Sequence, residues 1–364
     1  MKICLLGDAG SVHVQRISSG LAARGAIVHV VTHKPADITG VTVERFQVPP
    51  AGLTNPFPWR RRWHRRLRDY MRSFDIVNVL FLADWGLTPE IIERGCLVAT
   101  PAGSDIVPPP GEGNPTEALF AARLTMLRHA ACVTAWGPWF ASAVASFGGI
   151  DVRRIEILPL GVELHLFCSR PMPRASGDAH MVGFFKGFRE VYGAPTLVEA
   201  MPGVLAALPA TRFTMIGDGA QKALCQDLAD RQGIGGRITW LPQQPRRRLP
   251  GLLADWDVSV IPSVCESFGA AALESSAMRL PVVASDVGGL RDTVRHGKTG
   301  LLVPPRSPAH LAEAVIHLLE RASLRRRYGD TGRAMVEREY NWETVLDKWR
   351  RTYEIVLERR CVMS

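Results

Sequence analysis

The sequence predicts an α/β protein built from two doubly wound, Rossmann-like domains that face a central cleft. The first half alternates short apolar strands with helical segments, a pattern typical of a parallel sheet with crossover helices. A segment rich in proline and small residues near 166–180 interrupts the alternation, which then restarts. A chain of 364 residues is long enough for two such domains. Ligands of these sheets bind at the carboxyl ends of the strands.

The individual elements follow from the apolar runs. A helix is predicted at 14–24, and the segment from about 308 to 360 is predicted to be helical. The strands are predicted at 2–7, 27–32, 75–80, 96–100, 131–135 and 155–158, and then at 180–184, 211–216, 237–241, 257–261, 281–284 and 301–303. The predicted domains are 1–165 and 166–340, with a C-terminal helix at 341–364 that packs back toward the first domain.

The composition is that of a soluble globular protein, with 46% hydrophobic and 22% charged residues. The apolar run at the start of the chain is too short for a secretory signal, and no stretch has the apolar length of a membrane span. The seven cysteines are scattered without a CxxC pair, as in proteins with reduced thiols. We therefore expect a cytoplasmic protein. This expectation leaves open a peripheral contact with the inner face of the membrane.

Part of the net charge of +9 is concentrated at 59–68, where six of ten residues are arginine and two are tryptophan. This segment has three interpretations: a solvated helix with a narrow apolar seam, a contact with an anionic membrane, or a site for a phosphorylated acceptor. No recognised nucleic-acid-binding motif accompanies it, so nucleic acid is not expected as a partner.

The stretch 258–274 reads as a strand, a loop and a helix. The helix front, from Gly269 to Ala272, carries no bulky side chain, so its free N–H groups and positive dipole end suit a diphosphate. Glu266 falls in the loop just ahead. Glu274 is expected about two turns into the helix, where a carboxylate can accept hydrogen bonds from a ribose diol.

Glu266 and Glu274, with seven residues between them, resemble the EX7E motif of retaining glycosyltransferases with the GT-B fold. More narrowly, the chain resembles the GT4 family, or glycosyl transferases group 1. The resemblance covers nearly the whole chain and is strongest from about 180 to 305. Four further segments resemble family motifs: Ile216-Gly217-Asp218-Gly219, Pro281–Ser285, Val287-Gly288-Gly289 and Gly297–Val303.

The resemblance implies a retaining hexosyltransferase that moves a sugar from a UDP- or GDP-sugar to a hydroxyl group. The acceptor would be a saccharide, a lipid-linked saccharide or a small metabolite, bound by the first domain, while the second domain binds the nucleotide sugar. Glu274 would hold the ribose, and Glu266 would hold the transferred sugar. The other implied donor contacts are the backbone of Phe268, Gly269 and Ala270, the turn at Gly217, and backbone groups near Leu241 and Pro242.

The loop after the first strand of the second domain departs from the family pattern. The family places an arginine and a lysine there to neutralise the diphosphate, whereas this chain has Phe184 and Tyr192 at those positions. Lys186 and Arg189 are therefore the candidates for the diphosphate clamp. The alternative is that both are ordinary surface cations.

In the first domain, Gly10 and Ser11 stand at a predicted helix front that could approach the leaving phosphate or the sugar. His13 faces the acceptor or is simply packed. Asp105, in a segment that resembles a family motif, holds an acceptor hydroxyl or caps the segment that follows it. At the link between domains, Glu163 stands where the family has aspartate.

Neither a metal nor a cofactor is expected, because the nucleotide sugar is a substrate. Asp255-Trp256-Asp257 matches a D-x-D manganese motif of another glycosyltransferase fold, but it abuts a strand rather than a nucleotide loop. The absence of a Gly-x-Gly-x-x-Gly after any predicted strand disfavours a nicotinamide or flavin enzyme.

Two alternative functions keep the same fold: a nucleotide-sugar-binding protein with little catalysis, and a nucleotide-sugar epimerase. Cys265 is expected to be a packing residue that makes activity sensitive to thiol reagents.

Overall fold

The computed structural model describes the backbone of most of the chain and divides it into two compact units. The described residues are 1–46, 58–82, 95–108, 117–168 and 179–363; within them, the side chains of 58–64, 118, 362 and 363 are not described. Unit 1 comprises Met1–Leu160 and Val345–Ser364, and unit 2 comprises Gly161–Thr344. Most of the proline-rich segment near 166–180 lies outside the described residues.

The described residues of unit 1 form a seven-stranded parallel sheet in the order β3-β2-β1-β4-β5-β6-β7. The edge strand β3, Thr42–Arg45, was not predicted, because its four side chains are exposed or only half buried and give little apolar signal. The other strands lie within one or two residues of the predicted bounds. They are β1 (Lys2–Leu6), β2 (Ile27–Thr32), β4 (Ile76–Leu80), β5 (Leu97–Thr100), β6 (Cys132–Ala135) and β7 (Ile155–Ile157).

The helices of unit 1 cover its sheet, and the last helix of the chain contributes to its core. Trp349 and Tyr353 of that helix are fully buried, Tyr353 Oη accepts a 2.6 Å hydrogen bond from Asn78 on β4, and Trp349 packs beside Trp136. The helices in the described residues are α1 (Val12–Ala23), α2 (Pro58–Met71), α3 (Glu117–His129), α4 (Pro138–Gly148) and, from Val345 onward, α12 (Trp342–Met363).

In unit 2, the part of the chain that the structure describes forms a six-stranded parallel sheet in the order β10-β9-β8-β11-β12-β13. The order reverses between β8 and β11, which makes the adjoining carboxyl ends of these two strands the topological switch point where doubly wound sheets bind ligands. The strands are β8 (Met181–Phe184), β9 (Arg212–Ile216), β10 (Ile238–Leu241), β11 (Val258–Ile261), β12 (Val282–Ser285) and β13 (Gly300–Val303).

In unit 2, helix α8, which follows β11, is packed tightly against helix α11. Helix α11 approaches helix α8 closely because it presents glycine: a Cβ at Gly332 would lie 3.1 Å from the Cβ of Ser276, and one at Gly329 would lie 2.1 Å from the Arg279 carbonyl oxygen. The helices are α5 (Ala194–Ala207), α6 (Lys222–Arg231), α7 (Leu249–Leu253), α8 (Ala270–Ala277), α9 (Leu290–Thr293), α10 (Pro308–Leu319) and α11 (Ala322–Glu339).

None of the helices in the described ranges has both the length and the apolar character that a bilayer crossing requires.

Candidate active site

The site lies where the loops after β8 and β11 meet. The carbonyl oxygen of Val191 accepts a 2.8 Å hydrogen bond from the N–H of Val264, which ties the first loop to the second. Gly193 has a φ of +62°, and a Cβ there would lie 2.0 Å from the carbonyl oxygen of Pro262. Only glycine permits both that backbone conformation and that approach. The two loops are therefore held together by their backbones before any side chain is considered.

Lys186 and Glu266 extend from these two loops and meet as an ion pair. Lys186 Nζ donates to Glu266 Oε2, and Ser263 Oγ lies 3.3 Å from the same oxygen. The two charged side chains are only 11% and 13% exposed. Tyr192, which stands at the family's usual lysine position, places its ring 4.2 Å from Lys186 Nζ. The aromatic ring and the carboxylate both attract the ammonium group of Lys186 in this partly buried position.

The first turn of helix α8 offers free backbone N–H groups. Gly269 occupies the N-cap position, and no side chain of the described residues caps the helix. Gly269 has a φ of +99°, and a Cβ there would lie 2.7 Å from Thr293 Oγ1. Thr293 Oγ1 also donates a 3.2 Å hydrogen bond to the carbonyl oxygen of Phe268, which stabilises the turn before the helix. Uncapped N–H groups at the positive end of the helix dipole are suited to an anion.

Glu274 is the fifth residue of helix α8 and is 13% exposed. The predicted distance of two turns is wrong: the helix begins at Ala270, so Glu274 lies little more than one turn from its start. The residues between Glu266 and Gly269 form a loop and add no helical rise. Glu274 is therefore nearer to the free N–H groups of the first turn than the sequence suggested.

Arg246 contacts Glu274 and was not predicted. Its Nε donates to Glu274 Oε1 at 2.9 Å, and its Nη2 lies 2.8 Å from the same oxygen. Its Nη1 donates to Glu163 Oε2, and its guanidinium carbon lies 4.8 Å from the centre of the Phe167 ring. Because Arg246 begins a run of three arginines, its pattern is that of a solvated charged turn, and nothing in the sequence distinguishes it from its neighbours.

The predicted donor turn after β9 is shaped by Gly217. Its φ is +145°, and a Cβ there would lie 2.2 Å from the carbonyl oxygen of Lys186, so the loop that carries Lys186 crosses directly over this glycine. The N–H of Gly217 donates to the carbonyl oxygen of Leu241 at 3.1 Å. Pro242, the next residue, is exposed. The backbone of Gly217 thus packs directly against that of Lys186. Leu241 lies at the end of the neighbouring strand β10.

Lys222 holds the same turn and also went unpredicted. Its Nζ donates to the carbonyl oxygen of Gly217 at 2.9 Å and to Asp218 Oδ1 at 2.8 Å. This hydrogen bond from Lys222, together with one from the N–H of Gln243, holds the pKa of Asp218 below its usual value. Lys222 is therefore engaged in closing the turn.

Arg189 is exposed and does not share the Lys186–Glu266 contact. Its guanidinium carbon lies 6.0 Å from the centre of the Tyr192 ring, at the start of the turn Glu190–Tyr192. Of the two candidates for the diphosphate clamp, Lys186 is the one that the fold places beside Glu266. Arg189 stays a prediction.

The candidates at the start of helix α1 in unit 1 already have local partners. The N–H of Gly10 donates to Asp8 Oδ1 at 2.8 Å, and the N–H of Ser11 donates to the Asp8 carbonyl oxygen at 2.9 Å. Ser11 occupies the N-cap position without a side-chain capping bond. The ring of His13 lies 6.3 Å from that of Trp136. The Asp8 carboxylate bound to the Gly10 N–H disfavours an anion at this position.

Asp105 closes the loop that precedes it. Its carboxylate is fully buried and accepts hydrogen bonds from the backbone N–H groups of Leu82 (2.8 Å), Gly103 (2.7 Å) and Ala102 (3.0 Å). Burial raises the pKa of Asp105 despite these hydrogen bonds. The contacts favour a structural role over an acceptor contact. The expectation that Asp105 caps the following segment is wrong, because its partners lie in the loops that follow β4 and β5.

The D-x-D segment has a structural role at the amino end of its strand. Asp257 Oδ2 accepts a 2.9 Å hydrogen bond from the N–H of Met181, and Oδ1 lies 3.6 Å from the buried Arg325. Asp255 is exposed. Among the described residues, no three His, Cys, Asp or Glu side chains are grouped as a metal site would require.

Comparison with known families agrees with this geometry. The family model "Glycosyl transferases group 1" matches residues 170–335, and the model "Glycosyltransferase Family 4" matches residues 10–166. The chain belongs to the GT4-type glycosyltransferases with the GT-B fold. Helix α8, Glu266 and Glu274 lie within the first of these matches.

Several relatives of this GT4 chain carry the name D-inositol 3-phosphate glycosyltransferase. The relative from Mycobacterium tuberculosis (strain ATCC 25177 / H37Ra) is 34% identical over 220 residues, which are 57% of this chain and 45% of the relative. The one from Segniliparus rotundus is 29% identical over 229 residues, 60% of this chain and 50% of the relative. The aligned part of the chain thus spans about half the length of these relatives.

Solved structures share the fold across nearly the whole chain. Sucrose-phosphate synthase from Thermosynechococcus elongatus superimposes with a TM-score of 0.79 at 22% identity, covering 99% of this chain and 100% of the other. HepE from Anabaena, solved in complex with UDP-glucose, gives a TM-score of 0.75 at 18% identity, with 97% and 99% coverage. At these identities the likeness shows the GT-B fold alone.

Proposed function

We propose that the protein is a retaining glycosyltransferase that moves a sugar from a nucleoside-diphosphate sugar to a hydroxyl acceptor. The observation that carries this proposal is the arrangement around helix α8: Glu266 precedes its uncapped start, Glu274 follows one turn later, and Lys186 contacts Glu266. This arrangement lies at the switch point of the sheet in unit 2, where such folds bind nucleotides.

The binding mode follows from the polar groups available. The diphosphate lies at the free N–H groups of Gly269, Ala270 and Ala271, close to the ammonium group of Lys186. Glu274 accepts hydrogen bonds from the ribose, and Glu266 accepts them from hydroxyls of the transferred sugar. Each carboxylate is held through one oxygen by a cation, and in the described part of the chain the other oxygen accepts no hydrogen bond. That second oxygen is available to a substrate hydroxyl.

In the proposed reaction, the bond between the sugar C1 and the β-phosphate oxygen breaks, and a new bond forms from C1 to the acceptor oxygen on the same face. The acceptor proton passes to the departing phosphate oxygen, and the nucleoside diphosphate leaves. No carboxylate nucleophile is needed, in contrast to retaining glycoside hydrolases. Catalysis then depends on stabilising the negative charge that develops on the diphosphate, which Lys186 and the amides of α8 supply.

The relatives suggest which substrates to examine first. HepE was solved with UDP-glucose, which favours a UDP-sugar donor. The relatives named D-inositol 3-phosphate glycosyltransferase favour a phosphorylated polyol as the first acceptor. An anionic acceptor also suits a chain with a net charge of +9.

The proposal is tested by incubating the protein with UDP-glucose, UDP-N-acetylglucosamine and GDP-mannose, each with and without D-inositol 3-phosphate. We expect nucleotide release and a glycosylated product whose anomeric configuration, determined by NMR, matches that of the donor. A Glu266→Gln variant should bind the same donor but turn over far more slowly. Binding without hydrolysis or transfer would instead indicate a nucleotide-sugar-binding protein, and donor isomerisation without acceptor would indicate an epimerase.

A further inference from the structure

We propose that Arg246 is a positioning residue that orients Glu274 toward the ribose, and so sets the affinity for the nucleotide part of the donor. The inference rests on the proposed function, because it assigns Glu274 to the ribose. Arg246 belongs to the turn Arg246–Arg248 after β10, and the family resemblance assigned it no role.

The contacts of Arg246 fix one half of the Glu274 carboxylate. The guanidinium Nε donates a 2.9 Å hydrogen bond to Oε1, and the buried Nη2 lies 2.8 Å from the same oxygen as an ion-pair contact without hydrogen-bond geometry. Rotation of the carboxylate would break both contacts, so Oε2 is held in a defined direction. A ribose hydroxyl that donates to Oε2 then meets an acceptor whose orientation has already been fixed, which lowers the entropic cost of binding.

Arg246 is itself held from the opposite side. Its third nitrogen, Nη1, donates to Glu163, and its guanidinium group lies over the ring of Phe167 at 4.8 Å. The Arg246 side chain is 22% exposed, while those of Glu163 and Glu274 are 14% and 13% exposed. A planar guanidinium with five donors can join two carboxylates and stack on an aromatic ring, and lysine cannot do all three.

Glu163 therefore acts on the donor site through Arg246. Two carboxylates share one guanidinium, and this set of three groups carries a net charge of −1. Removing either outer partner leaves the remaining ions in a largely buried place with fewer contacts. The glutamate that replaces the family's aspartate at 163 thus has a defined partner in this chain.

The arrangement parallels that of the other glutamate. Lys186 holds Glu266 through Oε2, as Arg246 holds Glu274 through Oε1. The two cations differ in their neighbours. Lys186 lies beside the start of α8 and the proposed diphosphate position, whereas Arg246 contacts two carboxylates and the ring of Phe167. Arg246 should therefore affect nucleotide binding and leave turnover nearly unchanged.

The test measures dissociation constants by calorimetry for UDP, GDP, their 2′,3′-dideoxy forms and inorganic pyrophosphate. In Arg246→Met we expect UDP or GDP, whichever binds the wild type, to bind about tenfold more weakly, as the loss of one charged hydrogen-bond partner predicts. The dideoxy nucleotide, which lacks the ribose hydroxyls, and pyrophosphate should bind both proteins equally. Arg247→Met, a change at the exposed neighbour in the same turn, is the matched control and should bind as the wild type does.

A double-mutant cycle separates positioning from a general structural effect. Glu163→Gln should weaken nucleotide binding severalfold in the wild type, but much less in Arg246→Met, because Arg246 is the residue that links Glu163 to Glu274. Arg246→Lys should restore part of the affinity. With the transfer assay, Arg246→Met should raise the donor KM and keep kcat within about twofold.

Each contrary result has a definite meaning. If neither UDP nor GDP binds the wild type, the proposed function and this inference both fail. If a nucleotide binds the wild type and Arg246→Met binds it equally well or more tightly, this inference alone is overturned, and tighter binding would show that Arg246 competes with the ribose. A loss of pyrophosphate affinity equal to the loss for the nucleotide would also overturn it, because Arg246 would then be a phosphate ligand.

Discussion

At the scale of single residues, each glutamate of the candidate site is paired with a cation from another loop: Glu266 with Lys186, and Glu274 with Arg246. Lys186 could be predicted because it lies in the loop where the family resemblance places the cations of the diphosphate clamp. Arg246 could not, since its partners lie 28 and 83 residues away and its own neighbours are arginines. Asp105 shows the same limit: its carboxylate turns back to the chain before it, which no local pattern reveals.

Lys186 should contribute mainly to turnover. In Lys186→Met, we expect kcat to fall about 100-fold or more while nucleotide affinity changes little, because its positive charge is needed most when charge develops on the leaving diphosphate. Steady-state kinetics with the active donor measures this. Lys298→Met, which removes an exposed lysine, is the control. An unchanged kcat in Lys186→Met would remove this residue from the mechanism.

Cys265 should become reactive only at alkaline pH. Burial and the neighbouring Glu266 raise the pKa of its thiol, so less thiolate is present at neutral pH than in an exposed cysteine. Iodoacetamide at about pH 7 should modify the exposed Cys168 and Cys361 first and leave activity intact, whereas at about pH 9.5 it should modify Cys265 and abolish activity.

Peptide mass spectrometry alongside the activity assay identifies the modified cysteine. A Cys265→Ser variant should keep its activity after the alkaline treatment. Modification of Cys265 at neutral pH as fast as that of Cys168 would contradict the prediction.

At the scale of elements, the strands of both sheets could be predicted because buried parallel strands are continuous apolar runs. The edge strand β3 and the exact start of α8 could not, since exposure hides the first and a glycine turn sets the second. The glycines at 193, 217 and 269 carry the remaining information. The sequence shows where they are, but only the folded structure shows which carbonyl or hydroxyl group lies where a Cβ would be.

Gly217 should be intolerant of any side chain. In Gly217→Ala, the Cβ would lie 2.2 Å from the Lys186 carbonyl oxygen, in a residue whose φ is +145°. We therefore expect the free energy of unfolding to fall by about 2 kcal/mol or more, and the Tm to fall by about 4 °C or more. Gly236→Ala is the matched control, since a Cβ there meets nothing within 4 Å. Differential scanning calorimetry compares the two, and equal Tm values would contradict the close crossing.

An acidic residue at the start of helix α8 should stabilise the helix but weaken nucleotide binding. In Ala270→Asp, the new carboxylate would interact favourably with the helix dipole, so we expect an unchanged or slightly higher Tm. The same charge should repel the diphosphate and weaken UDP or GDP binding by about tenfold or more. Ala270→Asn, of similar size but neutral, should lose much less affinity. Equal losses in the two variants would argue against an anion at this position.

At the scale of the whole molecule, most of the basic charge lies outside the proposed donor site. Helix α2 carries much of it, and Arg65 and Arg66 on this helix are exposed, whereas the side chains of 59–64 lie outside the described residues. The interpretations of the segment 59–68 as a solvated helix, a membrane contact or an acceptor site remain distinct predictions.

A membrane role predicts salt-sensitive binding to anionic vesicles. The protein should float with phosphatidylglycerol vesicles at about 0.05 M salt, and dissociate at about 0.5 M as the charges are screened. Arg65→Gln with Arg66→Gln should weaken the attachment, since each arginine near the surface contributes about 1 kcal/mol. If no flotation occurs at low salt, the membrane interpretation fails.

The two aromatic residues that helix α12 adds to unit 1 have a consequence for biosynthesis. Trp349 and Tyr353 complete a core whose other members, including Asn78 and Trp136, are synthesised long before them. Unit 2 is a single continuous segment that ends before these residues. A ribosome therefore releases all of unit 2 before it can release the last pieces of unit 1, so the part of the protein that is made first acquires its full interior last.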